Sequence, residues 1–356
     1  MITSSILKIM SIDGCKDPVK TGTILKGIGG FYYVRADIET DVEPDVESDI
    51  EPNVEPDVKS NVKFDIKSDG ESGSTLFTRP EEIFECKARG IFRKDGISPL
   101  PGDRVMFSVM EEKGNKGWLE KILDRKNSLI RPAIANVDQM IVVVSVRSPE
   151  PDLLLLDRLL ARATDTGLDT VICLNKIDLA TDEEIDAIYD EYCDHFKIIK
   201  TSIKFERGFI QLYEVLKDKL SVFAGQSGVG KSTILNMVMK NWLMETGSLS
   251  AKLERGKHTT RHVELFALDC GGTLADTPGF SSYELLDILP ENLAALYPDF
   301  TFSEQDAVCR FRGCSHISEP DCAVKSSVEK GRTSRGRYER YVALYKETKK
   351  LKANRN

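Results

Sequence analysis

No apolar run in this chain approaches the ~20 residues that a membrane-spanning helix needs, so no membrane partner is expected. The N-terminus, MITSSILKIMSIDG, has no basic region followed by a long apolar stretch, and a secretory signal is therefore not expected. Glycine (25) and proline (14) are too few for a collagen-like chain, and 41% hydrophobic residues are too many for a wholly disordered one. A length of 356 residues leaves room for two or three domains with real cores. Cysteine is sparse, at eight, and three of the eight cluster near one histidine. That usage favours a reducing, cytoplasmic compartment and a metal site over a disulfide framework. Lys and Arg number 49 against 57 Asp and Glu, a net charge of −8. Spread evenly, that excess would argue against a nucleic-acid partner.

The charge is not spread evenly. Residues 37–68 form eight tetrapeptides, DIET DVEP DVES DIEP NVEP DVKS NVKF DIKS, with 11 acids and 3 lysines, and they hold a net charge of −8. Residues 323–356 carry 11 Lys and Arg against 3 Glu. Pro44, Pro52 and Pro56 block a helix in the repeat, and its dense like charge predicts a solvated insertion in a surface loop. The alternative is an acidic arm that mimics nucleic acid or repels wrong partners.

Short β patterns lie at residues 21–36, 83–89, 104–109 and 118–122, separated by Gly-rich turns. They predict a small barrel of the OB or SH3 type. The aromatic run Phe31–Tyr33 reads as alternating core and surface of a strand, or as a base-stacking platform. After Asn136 the pattern changes. Strands at 140–146, 170–174, 197–200 and 221–224 alternate with helices at 152–163, 183–196 and 209–219. This alternation predicts βαβ units and a parallel sheet, with ligands at the carboxyl ends of the strands.

Residues 225–233 read GQSGVGKST, between a predicted strand and a predicted helix. This is a phosphate loop. Gly225, Gln226, Ser227, Gly228, Val229 and Gly230 let backbone N–H groups wrap phosphates, Lys231 reaches the β- and γ-phosphates, Ser232 binds Mg²⁺, and Thr233 continues the helix start. Asn175-Lys176-Ile177-Asp178 follows a strand and has the NKxD pattern, in which Asp178 accepts from guanine N1–H and the 2-amino group. Adenine offers no such donor pair. Thr201, Ser202 and Ile203 fall where a loop backing the guanine is expected. Asp276-Thr277-Pro278-Gly279 supplies an Mg²⁺-side carboxylate and a glycine N–H for the γ-phosphate. RGKHTTRH lies between the phosphate loop and DTPG, and Thr259 or Thr260 in it can close on Mg²⁺. Small GTPases run phosphate loop, switch threonine, DxxG, NKxD. Here NKID comes first, which is a circularly permuted order.

Cys309, Cys314, His316 and Cys322 follow with spacing C-x4-C-x-H-x5-C. Three thiolates and one imidazole match a closed structural zinc site. Cys15, Cys86, Cys173, Cys193 and Cys270 are scattered and read as ordinary reduced thiols, and His195 and His262 as surface histidines. Tyr338, Tyr341 and Tyr345 share one helix face, expected to pack on the metal module. The Lys and Arg around them would suit a phosphate backbone.

Permuted GTPase motifs, an N-terminal barrel, the zinc spacing and the segment RPAIANVDQ at residues 131–139 together resemble the small ribosomal subunit biogenesis GTPase family (RsgA/YjeQ/YloQ). The resemblance covers nearly the whole chain outside residues 37–75. It implies an OB-fold over 1–131, a permuted α/β P-loop GTPase over 132–285 and a zinc-binding region with helices over 286–356. It further implies GTP hydrolysis, stimulated by the small ribosomal subunit during late maturation, with GTP or GDP, Mg²⁺, one zinc and rRNA as ligands of a monomeric protein. Phe280, after DTPG, cannot orient a water; His258, in KHTT, is the residue expected to do so. Two features depart from the family pattern: the acidic repeat, and Ile203 where alanine is common. Two other classes stand beside this reading: a P-loop ATPase, which NKID opposes, and a non-catalytic RNA-binding assembly factor.

Overall fold

A computed structural model describes residues 18–37, 82–90, 92, 96–110, 114–130, 132–246, 263–268, 270–276, 288–301 and 308–354. Most of the acidic repeat, Cys15, His258, Thr259, Thr260, His262 and Gly279 lie outside them.

Five strands close the N-terminal barrel: β1 (Val19–Ile28), β2 (Phe31–Ala36), β3 (Ile83–Ala88), β4 (Arg104–Val109) and β5 (Lys116–Ile122). Their spatial order is β1-β2-β3-β5-β4, with β4 back on β1. β3 and β5 pair parallel and the other neighbours antiparallel, the OB arrangement. Side chains at alternate positions fill it: Ile24, Val34, Phe84, Cys86, Val105, Phe107 and Leu119. The chain leaves the barrel at Asp37 and returns at Glu82, and these ends lie side by side, with Ala36 N donating to Glu82 O at 3.0 Å. Asp37, first residue of the repeat, is pinned. Arg104 grips its carboxylate with both terminal nitrogens at 2.6 Å, and Thr21 Oγ1 donates at 2.6 Å. In the Phe31–Tyr33 run, Lys87 lies over the Phe31 ring and Lys26 over the Tyr33 ring, and all three aromatics are half-buried.

A short hairpin, β6 (Ser128–Ile130) and β7 (Ala133–Ala135), leads out of the barrel. Asn127 and Val137 exchange two bonds, at 2.7 and 3.0 Å, and Asn136 Nδ2 donates to Gly102 O at 2.9 Å. These bonds account for Asn136 and Val137 of the RPAIANVDQ segment. Its Asp138 then accepts from Leu220 N, and its buried Gln139 donates to Val215 O and Ser221 Oγ.

The central sheet has the order β10-β9-β8-β11-β13-β12, from β8 (Gln139–Ser145), β9 (Asp169–Asn175), β10 (Lys197–Lys200), β11 (Leu220–Ala224), β12 (Glu264–Ala267) and β13 (Thr273–Asp276). β12 runs antiparallel at one edge and the rest run parallel. β8 is buried along its whole length, as a strand covered on both faces must be. One face packs on α1 (Leu153–Asp165) and α2 (Asp182–Tyr192), the other on α3 (Phe209–Leu216) and α4 (Lys231–Thr246). Asp152 caps α1 and a Thr181–Glu184 capping box starts α2. α2 stops at Tyr192, short of the expected Phe196, because its buried stripe of Ile185, Ile188 and Tyr192 ends there. α3 stops at Leu216, where Lys217 turns to extended ψ and Asp218 enters positive φ.

The C-terminal region holds α5 (Pro290–Leu293), a Cys/His loop, α6 (Ala323–Glu329) and α7 (Arg335–Ala353). Its core joins Leu293, Tyr297, Tyr341 and Leu344 to Ala161 of α1, so this region shares a core with the central unit.

Candidate nucleotide site and metal centre

β11 ends at Ala224 and α4 begins at Lys231, so residues 225–230 form the loop between a strand end and a helix N-terminus. Gly225 and Gly230 have φ of 135° and 100°, which disfavour any side chain. A Cβ on Gly230 would meet Asn175 Nδ2 at 2.4 Å, and one on Gly225 would meet Val143 O at 2.2 Å. The loop thus lies directly on β8 and on the end of β9. Lys231 Nζ folds back to the carbonyls of Gly225 and Gln226, at 2.7 and 2.8 Å, and burial lowers its pKa. Ser227, Gly228, Ser232 and Thr233 are exposed at the loop and the first turn, and Val229 is buried beneath.

The NKID residues meet this loop although they lie about fifty positions earlier. Asn175 Nδ2 donates to Val229 O at 2.8 Å, and Lys176 Nζ donates to Gly228 O at 2.8 Å. Lys176 sits at φ 62° and ψ 34°, a left-handed conformation that opens the short 3-10 turn Ile177–Leu179 carrying Asp178. Thr201 Oγ1 donates to Asn175 Oδ1 at 3.1 Å, and Ser202 Oγ donates to Asp178 Oδ1 at 2.6 Å. Ser202 is fully buried and Ile203 packs against the core on the α3 side, so the loop's second and third residues anchor it. One partner was not legible in the sequence: Lys176 Nζ also donates to Ser148 O, on the segment that follows β8. The only signal there is the turn-forming run SPEP directly after a buried strand.

Asp276 ends β13, which runs parallel to β11, so its backbone arrives at the same end of the sheet as the phosphate loop. His258, Thr259, Thr260 and Gly279 fall outside the described residues.

The four residues of the C-x4-C-x-H-x5-C run converge, with one ligand atom from each within 4.8 Å of the others. Cys309 Sγ and Cys322 Sγ are 3.9 Å apart. His316 Nδ1 lies 3.6 Å from Cys309 Sγ and 3.3 Å from Cys322 Sγ. The edges of a tetrahedron with zinc-type bond lengths are about 3.8 Å for S–S and about 3.6 Å for S–N, so the donor set fits a four-coordinate metal. Burial, with the neighbouring thiols Cys322 and Cys309, pushes the Cys314 thiol up to about 12, whereas burial lowers the His316 pKa and favours the neutral imidazole a metal needs. Glu319 shapes the loop by accepting from the N–H groups of Ser315, Ile317 and Ser318 and from Ser315 Oγ. Tyr338 and Tyr341 donate to the carbonyls of His316 and Ser315, which ties α7 to the cluster by the expected tyrosine face.

The model of the RsgA GTPase family matches residues 122–286, and that of the RsgA N-terminal domain matches residues 77–119. A Ruminiclostridium cellulolyticum protein named small ribosomal subunit biogenesis GTPase RsgA is 43% identical over 334 residues, covering 94% of this chain and 95% of that protein. Its namesake from Alkaliphilus metalliredigens is 41% identical, covering 92% and 98%. The crystal structure of YjeQ from Thermotoga maritima superposes with a TM-score of 0.71 at 32% identity, covering 93% of this chain and 98% of that one. The structure of YloQ, a circularly permuted GTPase, gives 0.69 at 35% identity, covering 93% and 96%. Motif order, barrel topology, metal-ligand spacing and likeness over nearly the full length agree: the chain belongs to the RsgA family of small ribosomal subunit biogenesis GTPases.

Proposed function

We propose that the chain binds GTP at residues 225–233 and 175–178 and hydrolyses it on the small ribosomal subunit during late maturation of that subunit. The observation that carries this is the direct bonding of Asn175 and Lys176 to the carbonyls of the phosphate loop. It builds the base-reading and phosphate-binding elements as one unit, despite their reversed order along the chain. In this reading Asp178, oriented by Ser202, accepts from guanine, and Ile203 backs the base. ATP offers this half-buried carboxylate no N1–H and 2-amino donor pair. Lys231 exchanges its two carbonyl partners for β- and γ-phosphate oxygens, and the amides of residues 226–230 hold the charge that develops on the transferring phosphoryl group.

Mg²⁺ would be held by Ser232 and by Thr259 or Thr260, with Asp276 behind it and the Gly279 N–H facing the γ-phosphate. When bound it neutralises charge on the β- and γ-oxygens. His258 is the proposed water-positioning residue. Zinc would be held by Cys309, Cys314, His316 and Cys322 with no open position, which assigns it a structural role. The chain is read as an OB barrel at 1–131, a nucleotide unit at 132–285 and a zinc region at 286–356. It acts as a single copy in the cytoplasm, where exposed Lys and Arg of the C-terminal region face rRNA.

Multiple-turnover phosphate release, with and without small subunits, tests the reading when run beside GTP and ATP affinities. Subunit-stimulated release and a strong GTP preference are expected. Equal affinities, or binding without turnover, would point to an ATPase or to a non-catalytic assembly factor. His258→Ala is expected to lose most of the stimulated rate with GTP affinity kept.

A further inference from the structure

The barrel strand β1 is not regular. Its pairing with β2 runs to Ile24↔Val34 and resumes at Lys26↔Tyr33, which leaves Leu25 as a bulge. Bulges re-aim side chains, and this one does. Ile24 points into the barrel and is fully buried. Leu25 instead packs against the core of the central unit, a cluster that includes Val263 and Leu265. Lys26, the next residue, places Nζ 2.8 Å from Glu264 Oε1, with the two side chains only 26% and 35% exposed. Lys26 therefore grips β12 by charge, and Leu25 beside it packs on the core to which β12 contributes Leu265.

β12 is the edge strand of the central sheet, hydrogen-bonded on one side to β13. In the register of that pair Glu264 stands opposite Asp276. In sequence, β12 directly follows RGKHTTRH and β13 ends on the first residue of DTPG. The β12–β13 hairpin is thus the piece to which both γ-phosphate motifs are joined in sequence, and β12 leans on β1 through the Lys26–Glu264 pair.

We propose that Leu25 and Lys26 of the barrel, with Glu264, are positioning residues for GTP hydrolysis. They set where the β12–β13 hairpin sits, so that what the barrel binds and which nucleotide the site holds are linked. The inference rests on the GTPase reading above. Linkage makes it reciprocal: if barrel contacts bias the hairpin, nucleotide must bias the barrel strand by the same free energy.

The test is amide hydrogen exchange on the full chain, read at residues 25–28 and 264–267, with GDP and with a non-hydrolysable GTP analogue. In the wild type, protection of the barrel amides should differ between the two nucleotides by about threefold, the scale set by one half-buried ion pair. Lys26→Met keeps the apolar stem and Glu264→Gln keeps the shape, and each should collapse that difference. A purely structural role would lower protection equally in both nucleotide states. That result, or a wild type with equal protection in both, would overturn the proposal. Phosphate release by the same proteins, assayed separately with GTP and small subunits, separates the two readings. A chain that shows the exchange difference without turnover retains the linkage and loses the hydrolysis.

Discussion

Arg337 Nη1 lies 2.6 Å from Asp157 Oδ1 although the two residues are 180 positions apart, and both side chains are almost wholly removed from water. Arg337 also holds Asp299 at 2.5 Å, and Arg340 reaches Asp157 and Glu191 at 2.6 and 2.8 Å. Tyr192 completes the set by donating to Asp157 at 2.7 Å. Burial alone would lower the Arg337 pKa, and the carboxylates of Asp157 and Asp299 reverse that and hold it above its ordinary value. The cluster joins α7 to α1 and α2. Leu155 and Leu156 of α1, beside Asp157, line a small cavity beneath Gly225 and Gln226 of the phosphate loop.

Removing one member of such a cluster strands the others without compensation. Arg337→Met should destabilise the chain by about 3–5 kcal/mol, measured by chemical denaturation. Asp157→Asn should destabilise less, because the amide can still accept from Tyr192. A loss below about 1 kcal/mol for Arg337→Met would mean the pairs only offset their own desolvation.

The bonds between NKID and the phosphate loop predict that Asn175→Ala loosens the loop as well as the base site. GTP affinity is expected to fall by at least about tenfold, the scale of one buried hydrogen bond to a backbone group left unpaired. Lys231→Ala should abolish nucleotide binding or turnover. Fluorescent-nucleotide titration reads both, and wild-type activity in Lys231→Ala would remove the nucleotide assignment.

The adjacent ends at Asp37 and Glu82 predict that residues 38–81 can be replaced by a short Gly/Ser linker with GTPase activity unchanged. A large loss of folding or turnover would show that the insertion is part of the machine. Asp37 itself is kept in that design because Arg104 and Thr21 hold it. Burial raises its pKa, but those hydrogen bonds and the Arg104 charge outweigh burial, so its pKa lies below the usual 3.8. The sign follows from that depression. Asp37 contributes stability above about pH 4, and this is lost as pH falls through its lowered folded value. The stability gap between the wild type and Asp37→Asn should therefore be present at neutral pH and vanish in acid.

The convergence of four ligand atoms predicts that chelation lowers the melting temperature and releases one zinc per chain, measured by metal analysis alongside thermal unfolding. Cys309→Ser should reproduce the shift without chelator. An unchanged melting temperature on chelation would exclude a structural metal. Because Tyr338 and Tyr341 bond to the cluster loop, α7 should lose hydrogen-exchange protection in the same experiment.

Chemistry that is local along the chain was legible in the residues. A phosphate loop, an NKxD tetrapeptide and a metal-ligand spacing are contiguous, and each works through its own backbone and neighbours. Strand and helix order was legible for the same reason, since burial imposes period two or a 3.6-residue stripe on neighbouring residues. Which charges are available and where the units touch emerged with packing between distant residues. The net positive C-terminal run suggested a free basic face, yet Arg337 and Arg340 are spent on Asp157, Asp299 and Glu191. The Leu25 bulge and the Ser148 carbonyl beside Lys176 left no periodic mark. Contacts between residues far apart in the chain depend on how whole elements pack, and no local pattern records the partner that will arrive.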